Sequence, residues 1–76
     1  MKNNKIRNLD EFRLWVKIRM VETRTTQRTL AKRMGIAQAR ISEAINGKQS
    51  GNKHIVPIIE ELGGNLNDFK EFLKAI

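Results

Sequence analysis

Gly35 stands between two short helix-forming runs, Gln27 to Met34 and Ala37 to Ile45, and this junction restricts the chain more tightly than any other feature. Glycine directly after the last apolar residue of a helix can take the positive φ that ends it, and Ile36 then returns the chain to the interior. Leu30, Met34, Ile36, Ile41 and Ala44 supply a small wedge of core between two crossing helices, with Ala31 small where they approach. The remaining side of the first run is polar. Two short helices meeting at one glycine, packed through a few apolar residues, are therefore expected over residues 27 to 46.

The chain has 76 residues, enough for one core. With no cysteine, a disulfide framework, a Cys-ligated zinc site and a thiol nucleophile are all excluded, so packing alone must hold the domain. Hydrophobic residues at 39% and charged residues at 30% describe a folded globular chain rather than a disordered one. No apolar stretch approaches the roughly 18 residues of a membrane span, and Met-Lys-Asn-Asn-Lys does not begin a signal peptide. A cytoplasmic protein is expected, with no membrane partner.

Residues 1 to 7 carry three cations without apolar periodicity and read as a flexible basic arm. Asn8 can cap a first helix over roughly Leu9 to Glu22, with Glu11 completing a capping-box variant and Leu9, Phe12, Val16 and Met20 on its inner face. Leu14, Ile18 and Val21 form a second stripe on the opposite side, which one core rarely covers. Thr26 is placed to cap the second helix, and Asn46-Gly47 ends the third. Lys48 to Asn52 reads as a polar loop. Ile55, Ile58, Ile59 and Leu62 mark a fourth helix starting near Lys53 or His54, with Asn52 as its cap, because Pro57 must lie in the first turn. Gly63-Gly64 closes it; with no preceding strand and no following lysine, the pair is a helix terminator rather than a phosphate loop. Leu66, Phe69, Phe72, Leu73 and Ile76 then mark a fifth helix that opens with Asn67 and Asp68. No segment alternates as a strand. The expected fold is all-α: one domain over residues 8 to 76, a compact bundle of about five short helices containing a helix-turn-helix.

Charge narrows the function. The net charge is +7, and residues 1 to 53 carry +9 while residues 54 to 76 carry −2, so one end of the molecule is made to meet a polyanion. His54 has no second histidine or cysteine to share a metal and reads as a surface or capping residue. Trp15, Phe12, Phe69 and Phe72 lie at helical spacing and read as core or dimer contacts rather than base-stacking platforms. No Ser/His/Asp set and no carboxylate pair occurs in an apolar setting. An enzyme is not expected, nor any cofactor or metal.

In residues 26 to 47 the pairs Thr26-Gln27, Leu30-Ala31, Gly35-Ile36, Ile41-Ser42 and Asn46-Gly47 stand in one register. On these the chain resembles the lambda repressor/Cro family of helix-turn-helix regulators of phages and bacteria, the xenobiotic-response-element type, over most of its length. The resemblance implies a third helix in the DNA major groove and dimers on two half-sites. It implies a contact set of Thr26, Gln27, Arg28, Ala37, Gln38, Ala39, Arg40, Ser42, Glu43, Asn46 and Lys48. In it Gln27 would donate to a phosphate and brace Gln38, and Gln38 would read a base edge. Ala39, Ser42 and Glu43 would face bases or the sugar wall, and Asn46 would hold a phosphate. The chemistry agrees: a Gln amide can pair bidentately with adenine, Ala can touch a thymine methyl, and Arg40 can reach guanine or a phosphate. Glu43 fits a groove only by accepting from a cytosine amino group.

Two positions depart from the pattern of many members. Arg24-Thr25 replaces a Gly and an apolar residue before the Thr-Gln pair, which leaves the first connection open to a longer or different packing. Met20 and Ile45 replace an Arg and a Glu, offering an apolar contact instead of an ion pair. With no second domain in the sequence, regulation is expected from concentration, a partner or a dimer equilibrium. The expected function is a sequence-specific regulator binding double-stranded operator DNA, acting as a homodimer at least on DNA, with Leu14, Ile18, Val21 and the fifth helix as the dimer surface. The alternative is an antitoxin that uses the same module and docks a toxin protein on the Leu14-Ile18-Val21 stripe. Duplex RNA fits less well, since its narrow major groove does not admit a helix.

Overall fold

A computed structural model describes residues 5 to 76; the first four residues of the expected arm lie outside the described residues. Among the described residues there are five α-helices, two 3-10 helices and no strand, in the order α1 (Leu9–Thr23), α2 (Gln27–Met34), α3 (Gln38–Ile45), a 3-10 helix (Gln49–His54), α4 (Ile55–Glu61), a second 3-10 helix (Leu66–Phe69) and α5 (Lys70–Lys74).

The cap chemistry explains most of these boundaries. The Glu11 N–H donates to Asn8 Oδ1 at 2.9 Å, starting α1, while the Arg7 N–H donates to the Glu11 carboxylate at 2.6 Å. A strict capping box would return that carboxylate to the cap residue itself; here it reaches one residue further back. At the other end of α1, Arg24 takes φ 54°, and its N–H donates to the Met20 and Val21 carbonyls. The Thr25 N–H donates to Met20 O at 2.9 Å, and Thr25 is buried. The connection is thus not lengthened by the missing glycine: Arg24 itself adopts the left-handed conformation, and three residues suffice to reach α2.

Three expectations are corrected. Ile6, placed by the sequence in a flexible arm, is buried, and its N–H donates to Asp68 O at 2.7 Å. The chain is tied down two residues before the α1 cap, because a single apolar residue suffices to dock a terminus where periodicity cannot be read. Lys48 to Asn52 is not a loop: residues 49 to 54 form a 3-10 helix packed along α3, and Gly51 within it is buried. A Cβ there would stand 2.5 Å from Ala44 Cα and 2.7 Å from Glu43 C, so glycine is what permits the approach. Consequently α4 begins at Ile55, later than expected, and the Ile55 N–H donates to the backbone carbonyl of Asn52 rather than to its side chain. Pro57 is then the third residue of α4, where a missing N–H removes no intrahelical bond.

The third correction concerns α5. Phe69 and Phe72 are buried against α1, Phe72 stacked on Phe12 at 4.9 Å and Phe69 edge-on to both Phe12 (6.4 Å) and Trp15 (4.9 Å). Through Phe69 and Phe72 this C-terminal segment completes the core, leaving Leu66 and Leu73 half-buried and Ile76 exposed. The segment opens through Asn65, whose side chain accepts the Asn67 N–H, not through Asn67 and Asp68. Met20 packs on the core that contains Ile45, so apolar burial occupies the place of the ion pair. No helix among the described residues is long and apolar enough to cross a membrane.

Candidate nucleic-acid interface

The α2–α3 pair is set by two local devices. Thr26 Oγ1 accepts the Thr29 N–H at 3.0 Å and donates to Thr29 Oγ1 at the same distance, fixing the entry to α2. Gly35, at φ 68°, donates to Ala31 O and Lys32 O, and the Ile36 N–H follows to Ala31 O at 3.1 Å. This satisfies the last carbonyls of α2 and turns the chain sharply within Gly35, Ile36 and Ala37.

Leu30 and Ala31 of α2 are buried, as are Ile41, Ala44 and Ile45 of α3. The opposite side of α3 is thereby turned outward. Ala37, Gln38, Ala39 and Arg40 are all exposed at its N-terminal end, and Ser42 and Glu43 are half-buried one turn on. Asn46 and Lys48 are exposed beyond its C-terminal end; Thr26 and Arg28 are exposed at the start of α2, and Gln27 there is half-buried. All eleven residues therefore belong to α2, α3 and the segments that bound them, and none is deeply buried.

Their contacts differ from the expected roles in two places. No hydrogen bond joins Gln27 to Gln38 among the described residues, so the brace expected from the resemblance is not formed. Glu43 already carries two partners on one oxygen: its Oε1 accepts from Arg40 Nη1 at 3.0 Å and from Ser50 Oγ at 3.0 Å. The Arg40 and Ser50 hydrogen bonds, in that order, hold its carboxyl below the usual Glu range, and the Arg40 and Lys48 charges act in the same direction. Arg40 is thereby drawn toward the next turn of α3, yet a guanidinium has five N–H donors and this contact engages one nitrogen. Asn46 Nδ2 donates to Ser42 Oγ at 3.3 Å, linking the two polar residues at the C-terminal half of the helix.

Sequence reasoning missed the 3-10 helix as part of this surface. Gln49, Ser50 and Lys53 are exposed on it, and Ser50 reaches Glu43 directly. The signal available was Gly51: a glycine among polar residues that is required for close approach rather than for a loop. The Lys48 N–H, donating to Glu43 O at 2.9 Å, fixes where this segment leaves α3.

Compared with protein-family models, curated proteins and solved structures, the chain matches none of them.

Proposed function

We propose that the chain is a sequence-specific regulator that binds double-stranded DNA, a switch like those of the lambda repressor/Cro family, occupying an operator by laying α3 in the major groove. The observation that carries the reading is the division of α3 into two faces. Ile41, Ala44 and Ile45 hold it to the core, while Gln38, Ala39 and Arg40 stand exposed at its leading end with amide, methyl and guanidinium groups outward. These are the groups that distinguish base pairs in the major groove, which is wide enough to admit a helix. The +9 charge of residues 1 to 53 supports the same reading, since phosphate neutralisation supplies most of the sequence-independent affinity for duplex DNA.

Gln38 pairs with adenine, Ala39 touches a thymine methyl, and Arg40 reaches guanine or an adjacent phosphate. Thr26, Gln27, Arg28, Asn46 and Lys48 flank these and position the helix on the backbone. Through its Oε1, Glu43 accepts from Arg40 and Ser50 and so ties the leading turn of α3 to the 3-10 helix.

Selection of sites from a pool of random duplexes, followed by titration of the preferred site, tests this. Affinity should fall by orders of magnitude between about 50 and 200 mM salt if several phosphates are neutralised. Gln38→Ala and Arg40→Ala should each weaken the preferred site by about 1–3 kcal/mol and relax the base choice. A flat salt profile, or equal affinity for all duplexes, would overturn the reading.

A further inference from the structure

Arg40, the cation at the leading end of α3, is tied through one carboxylate to a residue outside the helix. Its Nη1 donates to Glu43 Oε1 at 3.0 Å, and Ser50 Oγ donates to the same oxygen at 3.0 Å from the 3-10 helix. An ion pair between exposed side chains holds its geometry weakly, because two long side chains must be ordered for a small gain in water. Here the carboxylate is the more sheltered partner, its side chain 28% exposed against 52% for Arg40. Ser50 holds that carboxylate from a second element. Its hydroxyl sits on a short side chain that loses little freedom when aimed. The backbone around it is fixed as well: the Lys48 N–H donates to Glu43 O and the Gly51 N–H to Lys48 O, each at 2.9 Å. Gly51 lies against Ala44, where no side chain would fit.

We infer that Ser50 is a positioning residue for base recognition: through Glu43 it holds the Arg40 guanidinium along α3, and so sets the choice of one base pair without touching it. The inference rests on the major-groove reading proposed above. It adds to that reading a residue that lies beyond α3 and acts only through another side chain.

The chemistry of the guanidinium gives the relay its use. The Glu43 contact engages Nη1, and the edge formed by Nε and Nη2 is left to offer two parallel N–H groups. Such a fork matches O6 and N7 of guanine. A guanidinium tied to the next turn of its own helix stays along that helix, whereas an untied arginine sweeps widely enough to settle on phosphates, which carry no sequence information. Ordering a long side chain at the moment of binding costs about two- to tenfold in affinity. The Ser50–Glu43 pair orders Arg40 before DNA arrives, so the cost falls on folding and the gain appears at the base pair.

The test compares two duplexes: the preferred site from selection, and the same site changed at the one base pair that Arg40→Ala ceases to distinguish. The readout is the ratio of their affinities, in which sequence-independent phosphate contacts cancel. Ser50→Ala, an uncharged change at an exposed position, should lower that ratio about two- to fivefold and leave discrimination at the other base pairs unchanged. Ser50→Thr, which keeps a hydroxyl, should restore it. In an Arg40→Ala background Ser50→Ala should have no further effect on the ratio. Without DNA, nitrogen relaxation of the Arg40 Nε–H group should show it more mobile in Ser50→Ala than in the natural chain. A ratio indifferent to Ser50→Ala, an equal loss at every base pair, an effect that persists without Arg40, or an Arg40 side chain equally rigid in both proteins would overturn the inference and leave the DNA reading standing. So would an Arg40→Ala variant that keeps full base choice. A chain that selects no preferred duplex defeats the major-groove reading itself, and the inference falls with it.

Discussion

Replacing Gly51 by alanine tests whether the 3-10 helix truly lies against the backbone of α3. The added methyl would stand 2.5 Å from Ala44 Cα and 2.7 Å from Glu43 C, and closer still to the Ala44 nitrogen. These atoms belong to a helix backbone and cannot rotate away as a side-chain tip would. Overpacking of this kind costs about 1–3 kcal/mol, and rigid neighbours put Gly51 at the upper end. Gly51 is not among the residues with positive φ, so alanine also recovers about 0.4–1 kcal/mol by restricting the unfolded chain. The net loss is about 2 kcal/mol, a large share of the roughly 4–11 kcal/mol that a domain of this length holds. In urea the midpoint should fall at unchanged slope, and Tm should drop by about 8–16 °C. Gly35→Ala separates sterics from backbone strain, because φ is 68° there but a Cβ would meet nothing within 4 Å. It should cost only about 1 kcal/mol. Gly51→Ala within about 0.5 kcal/mol of the natural chain would refute the packing of residues 49 to 54 on α3.

Other outcomes follow from single contacts. Arg24→Gly should stabilise the domain by about 0.5–1 kcal/mol in denaturant titration, because it removes a left-handed arginine at a cost in chain entropy smaller than the strain. Ile6→Ala should destabilise by about 2 kcal/mol in denaturant titration; a loss under about 0.5 kcal/mol would return Ile6 to a loose arm. The Glu43 carboxyl should titrate below the usual Glu range by NMR, and Arg40→Ala or Ser50→Ala should raise it. With its pKa depressed on folding, Glu43 contributes stability above the ordinary carboxylate pKa, and that contribution should disappear as pH falls through the folded value.

The helices that the sequence determined by itself are those whose ends carry local chemistry. Asn8, Thr26, Gly35 and Gly63 act within four or five residues of themselves, through a side-chain oxygen on a nearby N–H or through a permitted positive φ, so α1, α2 and the closures of α2 and α4 could be read without knowing what lies beside them. The outward turn of Gln38, Ala39 and Arg40 was also legible, because the apolar positions of α3 leave only the opposite side free. Tertiary structure decided what depends on a distant neighbour. Ile6 is core only because Asp68 offers its carbonyl there, and Gly51 marks a helix contact only because Ala44 lies across from it. The choice between the two apolar stripes was of the same kind. Leu66 to Ile76 and the outer side of α1 were equally apolar in sequence, but Phe12 and Trp15 present rings on which Phe69 and Phe72 can stack, so α5 is drawn into the core and Leu14, Ile18 and Val21 are left facing water. Glu43 shows the limit most sharply: its spacing from Arg40 is local, but Ser50 reaches it from a separate helix, and only the approach permitted by Gly51 brings the two together.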